Sequence, residues 1–247
     1  MGVVYPCEHP PSMSSVAPLA TFKVGVDNVI FSVDPAQNRL FVLLVKRLHA
    51  PYNGQWSLPG TLVREGESLE SAARRILQEK IKVHHLYLEQ LYTFGDPGRD
   101  PRETTRQTRY LSVSYFALVR KEEAELITHE GGMTAWFTIQ TVETLAFDHH
   151  QILTYGYRRL RNKLEYSPIA FEVLPDVFTL NEVYQLYCTV LGENFADYSN
   201  FRARLLKLQI LTDTGVKVSR GAGRPASLYR FDRRAFEALP YKPLVFV

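Results

Sequence analysis

Apolar and polar positions alternate along the first third of the chain, with a period of two. FKVGVDNVIFSV (22–33) and RLFVLLVKR (39–47) are rich in β-branched residues and predict two strands joined by a Pro/Asn turn around Asp34 to Asn38. LYLEQLYTF (86–94), RYLSVSYFALV (109–119) and the shorter MTAWFTI (133–139) read the same way. Helical patterning interrupts them twice. One helix is expected from about Ser68 to Lys80, started by Ser68 and Ser71 with acids in its first turn. A second runs from near Phe147 to about Leu164, with Asp148 placed as its N-cap. GDPGRDPRETTRQT, rich in Gly, Pro and charge, is a loop. Strands with helices interspersed predict an α+β sandwich-like domain over 21–165.

The pattern then changes. SPIAFEVLPD holds two prolines and marks a connector at 166–176. Thr179 caps LNEVYQLYCTVLG, a helix closed by Gly192. A second helix, YSNFRARLLKLQIL, carries Phe201, Leu205 and Leu208 at i, i+4, i+7, with Ser199, Arg202, Ala203 and Lys207 on the opposite half. Leu206 also falls on that polar half. VKVSR, the tip GAGRP and SLYRF follow as two strands around a glycine turn stiffened by Pro225. Helix, turn, basic helix and basic hairpin predict a winged helix-turn-helix over 177–238, followed by a tail at 239–247. Tyr184, Tyr187 and Leu191 at i, i+3, i+7 are expected in its core.

Charge sharpens this division. The chain of 247 residues carries a net +3. From Tyr198 to Arg234 there are nine basic residues and two acids, hence +7, which leaves −4 for the rest. A basic module behind an acidic one points to nucleic acid, against the alternative of a solvated basic surface. With 45% hydrophobic and 22% charged residues the chain is expected to fold as a soluble protein, and no apolar run approaches the ~18 residues of a membrane helix. Residues 1–20 hold four prolines and no basic residue, unlike a secretory signal, and are read as an irregular arm. Cys7 and Cys188 match no metal spacing, so a cytoplasmic location is expected. His149 and His150 point to different helix faces and are expected to pack instead of chelating one metal.

LPGTLVREGESLESAARRILQEKIKV (58–83) has a glycine turn, a carboxylate and an arginine-bearing helix, the ingredients of phosphate chemistry. The stretch from Gly60 to Val83 resembles the Nudix box, a loop–helix–loop that holds a divalent metal against a pyrophosphate. Aligned through Glu67 and Arg75, the family's metal carboxylates fall at Ile76, Glu79 and Lys80, and only Glu79 is an acid. Thr61 and Lys82 replace two usual glycines. Mg²⁺ takes oxygen ligands, and Ile76 offers none. A Lys80 ammonium repels the metal: two unit charges ~4 Å apart interact by ~4 kcal/mol at an effective dielectric of about 20. No metal, cofactor or catalytic residue is therefore expected. Arg75 and Lys80 suit a phosphate better, although Arg75 and Glu79 also read as a plain i,i+4 ion pair.

From about Thr21 to Phe231 the chain resembles the Nudix-related transcriptional regulators, the NrtR-like family. The stretches that carry this are, in order, GQWSLPG, RRILQEK, LEQLYTFGDPGRDP, FDHHQIL, RLRNKLEYSPIAFEVLP, FTLNEVYQLYCTVLG, NFRARLL and GRPASLYRF. The resemblance implies a Nudix-like α/β/α sandwich with a mixed sheet fused to a winged helix. It implies a homodimeric repressor of NAD-metabolism genes that binds a palindromic DNA operator and is released by ADP-ribose. A sugar- or sugar-phosphate-responsive regulator, or an active Nudix hydrolase of nucleoside diphosphate derivatives, are the alternatives. The effector cleft is expected at Arg47, Trp56, Arg75, Glu79, Lys80 and Asp96, with core packing an equal reading for Trp56. DNA contacts are expected from Ser199, Asn200, Arg202, Arg204 and Lys207 on the second helix, and from Arg220 and Arg224 at the wing. RETTRQTRYL (102–111) is more basic than the family pattern and borders either the cleft or DNA.

Overall fold

A computed structural model describes residues 19–34, 37–82, 87–103, 108–120, 125–127, 133–192, 195–219 and 225–240. The long first strand, β1 (Thr21–Asp34), organises the N-terminal half. It pairs antiparallel with β2 (Arg39–Lys46) through its second half and with β4 (Gly60–Leu62) through its first. Along its other edge it runs parallel to β7 (Thr108–Val119), which pairs antiparallel with β6 (Tyr87–Phe94). β3 (Trp56–Ser57) and β9 (Thr134–Thr138) complete the mixed sheet on β2. A small separate ribbon joins β5 (Ile81–Lys82) to β8 (Glu125–Leu126).

Alternation along β1 decides the layers. Val26 and Ile30 face α1 (Leu69–Lys80), meeting Ala72, Ala73 and Leu77. Asn28, on the same face, donates from Nδ2 to the carbonyl of Ala73 at 3.0 Å. Val29, Phe31 and Val33 face the other way and join the core under α2 (His149–Tyr166). The Ser68 hydroxyl caps α1 by accepting from the Ser71 N–H at 3.1 Å, as its sequence suggested.

The second core does not stop at the sheet. It continues through Leu164, Ile169 and Phe178 into α3 (Leu180–Leu191), α4 (Tyr198–Lys207) and Phe236. α3 packs directly on β1 and β2. The proline-bearing connector is a 3₁₀ turn, Pro168–Glu172, with Ile169 and Ala170 buried. The Tyr187 hydroxyl of α3 donates to the carbonyl of Leu164 in α2 at 3.1 Å, and Tyr157 of α2 donates to that of Val190 in α3 at 3.1 Å. Each fully buried large apolar side chain here stabilises by roughly 1.5–3 kcal/mol.

Thr179 caps α3 in a reciprocal box with Glu182. The Asp197 carboxylate caps α4 by accepting from the N–H groups of Ser199 and Asn200. The expected second helix is shorter than its apolar pattern. It ends at Lys207 because Gln209 takes a φ of 55°, and Leu211 then opens β10 (Leu211–Val218) opposite β11 (Ala226–Phe231). A short α5 (Arg233–Glu237), which the pattern did not suggest, seals the module with Phe236. The wing tip 220–224 lies outside the described residues, as does most of the N-terminal arm.

Candidate functional site

A cavity of about 450 Å³ opens where the first half of β1 meets the last turn of α1 and the head of α2. Its floor rests on a tight approach. β4 pairs with β1 at Gly60, where a Cβ would stand 1.9 Å from Oδ1 of Asp27, so any side chain there would displace that carboxylate. The Asp27 carboxylate accepts from the Ser112 hydroxyl at 2.6 Å. His149, the first residue of α2, is buried, and its Nδ1 accepts from the Leu58 N–H at 2.9 Å. The ring proton therefore sits on Nε2, 3.5 Å from Asp27 Oδ1. Burial holds the His149 pKa below its ordinary value, outweighing the pull of Asp27 and Asp148.

Arginines and aromatic rings form one wall. The Arg47 guanidinium lies 4.7 Å and that of Arg102 5.4 Å from the centre of the Phe147 ring, and Arg102 also lies 4.3 Å from that of Tyr110. Arg102 forks onto buried Asp100, with Nη2 2.5 Å from Oδ2. Burial pushes the Asp100 carboxyl up, but the Arg102 hydrogen bonds overcome this and hold it below its ordinary value. Arg47 has no such carboxylate among the described residues. Its Nε donates to the carbonyl of Pro51 at 2.8 Å, and burial followed by repulsion from Arg102 lowers its pKa. Phe147 itself has a φ of 56°, a conformation that costs of order 1–3 kcal/mol in a bulky residue.

Asp148 stands at the N-cap position its sequence suggested, but its side chain does not cap the helix. Its carboxylate makes no cap bond and instead pairs in two places with Arg99 of the loop after β6, at 2.6 and 2.8 Å. The two histidines divide, His149 inside and His150 exposed.

The Nudix-box helix presents Ile76, Glu79 and Lys80 to the cavity. Ile76 is buried. Arg75 is turned away from the cavity wall and is held by Glu67 at 2.8 and 3.0 Å, with Glu79 at 3.4 Å. Hydrogen bonds from Arg75, then from the backbone of Arg64, draw the Glu67 carboxyl down to about 2. These residues do not fit a divalent cation. Ile76 lacks oxygen, Lys80 is an ammonium, and both acids serve Arg75. Among the described residues no group of three or more His, Cys, Asp or Glu side chains gathers.

Of the six residues expected at the cleft, Arg47, Glu79 and Lys80 line it. Trp56 packs edge-on against Phe137, ring centres 4.7 Å apart, and Asp96 sits in the turn that leads to Arg99. Patterning did not single out Asp27, Arg99, Asp100, Arg102, Phe147 and His149 as cavity residues. The stretches GDPGRDP and FDHH contain most of them and are the signal that could have found them.

The second basic surface is on α4. Phe201 and Leu205 are buried, with Phe201 against Tyr184, Tyr187 and Phe195, so Ser199, Asn200, Arg202, Arg204 and Lys207 are all exposed. Lys217 and Arg230 are exposed on the hairpin. Arg220 and Arg224 lie outside the described residues.

The NUDIX domain model matches residues 22–158, and the model of the AraR C-terminal winged HTH domain matches 166–247. The ADPR responsive transcriptional repressor NtrR of Acinetobacter baylyi is 35% identical over 210 residues, covering 83% of this chain and 80% of that protein. The crystal structure of Shewanella oneidensis NrtR complexed with a 27mer DNA is similar at a TM-score of 0.75 and 32% identity, over 91% of this chain and 99% of that one. A MutT/nudix family protein from Enterococcus faecalis is similar at 0.63 and 25% identity, over 88% and 89%.

Proposed function

This chain belongs to the family of NUDIX-domain regulators with an AraR-type winged helix that includes these repressors, and from that premise we propose that it is a DNA-binding repressor of NAD-metabolism genes, released from its operator by ADP-ribose or a close relative. One observation carries the reading. A Nudix cavity stripped of its metal carboxylates, with Arg47 and Lys80 in its wall, shares a continuous core with an exposed basic helix. A diphosphate suits the cations, and a sugar or base ring suits the aromatic wall of Phe147 and Tyr110. The cavity binds its ligand without cutting it.

The DNA side follows from the winged helix. α4 enters the major groove, with Asn200 and Arg202 in its first turns toward base edges, and Ser199, Arg204 and Lys207 toward the backbone. The hairpin follows phosphates, and Arg220 and Arg224, between its two strands in sequence, are expected to add charge there. One such module buries little surface, so two chains on a palindromic operator supply the affinity.

Ligand and DNA communicate through α2. Its first residue, His149, is in the cavity wall, and its later turns hold α3 through Tyr157 and Leu164. Release requires that ADP-ribose bind the DNA-free arrangement more tightly than the DNA-bound one. Fluorescence anisotropy on an operator duplex tests the whole reading. ADP-ribose should lower affinity for the duplex, and AMP should not. Release by pentose phosphates but not by ADP-ribose would replace the effector. A monomer in sedimentation that binds DNA one-to-one would remove the dimer.

A further inference from the structure

The cations of the cavity are unequal. Arg99 and Arg102 each have a carboxylate of their own, Asp148 and Asp100. Among the described residues, Lys46, Arg47 and Lys80 line the cavity and form no ion pair; Lys46 is exposed and Arg47 half-buried. Lys80 is half-buried, on the last turn of α1. Its backbone carbonyl is engaged by the Ile127 N–H at 2.9 Å, which fixes the residue at the start of the β5–β8 ribbon. Glu67 and Glu79, on the same loop and helix, pair with Arg75. A diphosphate diester brings two negative charges to a wall where, among the described residues, two half-buried cations, Arg47 and Lys80, stand outside any ion pair.

We propose that Lys80, with Arg47 of the same cavity wall, supplies the fixed positive charge that a divalent cation supplies in a catalytic Nudix site, so that the effector diphosphate is bound without metal. The inference rests on the effector reading above and adds to it a mode of recognition. An ammonium is a compact point charge with three donors. It neutralises a phosphate oxygen as a metal does, but it activates no water for attack. The same substitution that removes hydrolysis thus retains affinity, which is what a sensor requires.

Calorimetric titration of the full-length protein with ADP-ribose decides this. One arm contains EDTA, the other millimolar MgCl₂ or MnCl₂. Equal affinity in both arms is the expected result. Binding only with metal overturns the inference and leaves the effector reading standing. Binding in neither arm overturns the effector reading, and the inference with it. Lys80→Gln should weaken binding about tenfold to hundredfold, the loss of one charge-assisted contact, and added Mg²⁺ should not restore it. Affinity unchanged in Lys80→Gln, or restored by Mg²⁺, overturns the role of Lys80. The two wild-type arms stand whether or not the variant folds, and a urea transition of Lys80→Gln checks its folding.

Discussion

Asp148→Ala separates two roles that differ in size. At the residue before a helix, an aspartate reads as an N-cap, and losing a cap costs about 1 kcal/mol. In the structure both its oxygens go to Arg99, the side chains being only 8% (Arg99) and 16% (Asp148) exposed. Breaking a buried pair from one side costs about 3–5 kcal/mol, because the remaining charge is stranded. Arg99 borders the open cavity, where water relieves part of that penalty, so the lower end, about 3 kcal/mol, is expected. The double variant Arg99→Ala/Asp148→Ala leaves no stranded charge. It should therefore cost less than the sum of the single variants, by about 2 kcal/mol. Urea unfolding of the four proteins at neutral pH, followed by circular dichroism, measures the cycle. A loss of about 1 kcal/mol for Asp148→Ala, simply additive with that of Arg99→Ala, would refute the reasoning and return Asp148 to the role of a cap.

Three further outcomes are expected. With Mg²⁺ or Mn²⁺ the protein should turn over ADP-ribose at less than ~0.1 s⁻¹, against an enzyme median of about 10 s⁻¹; faster release of AMP contradicts the silent cavity. Arg202→Ala should reduce discrimination between operator and scrambled duplex by ~1–3 kcal/mol, while Arg224→Ala weakens both alike and lowers the salt slope by about one; equal losses on both duplexes for Arg202→Ala reject base reading. Glu67 has a folded pKa of about 2, below its unfolded value of about 4.3. Its contribution to stability is complete above the unfolded value and is lost as pH falls toward 2. Acid unfolding of Glu67→Gln should therefore be shallower across that window, and an unchanged slope in a pH series of urea midpoints counts against the ion pair.

Strands long enough to repeat their alternation were legible, and so were helices with side-chain caps. β3, β4, β5 and β8 are two or three residues long, too short for any period to register. The end of α4 escapes the pattern for a different reason. Leu208, Ile210 and Leu211 continue an apolar run that suits a helix and a buried strand equally, and the φ of Gln209 leaves no mark in composition. The cavity was half legible. Ile76, Glu79 and Lys80 share one helix and were legible through the resemblance of that stretch to the Nudix box. Asp27 becomes part of a cavity only because β4 folds back over it at Gly60, and Asp148 is claimed by a residue 49 positions earlier. Local pattern carries no information about such partners.

The continuity of the core from Val29 to Phe236 has a consequence for how such a chain can arise and change. One face of the sheet is covered jointly by α2 and by α3, which belongs to the DNA-binding module, so part of that face is closed only by the other half. Cutting at the 3₁₀ turn would part α3 from β1 and β2 and expose apolar side chains of both to water. Each fragment should then be less stable than the whole chain and prone to associate through the bared face. Exchanging the winged helix for that of a relative meets the same obstacle unless the sheet residues beneath it are exchanged too. A substitution on the sheet face under α3 is thus expected to require a matching change in α3.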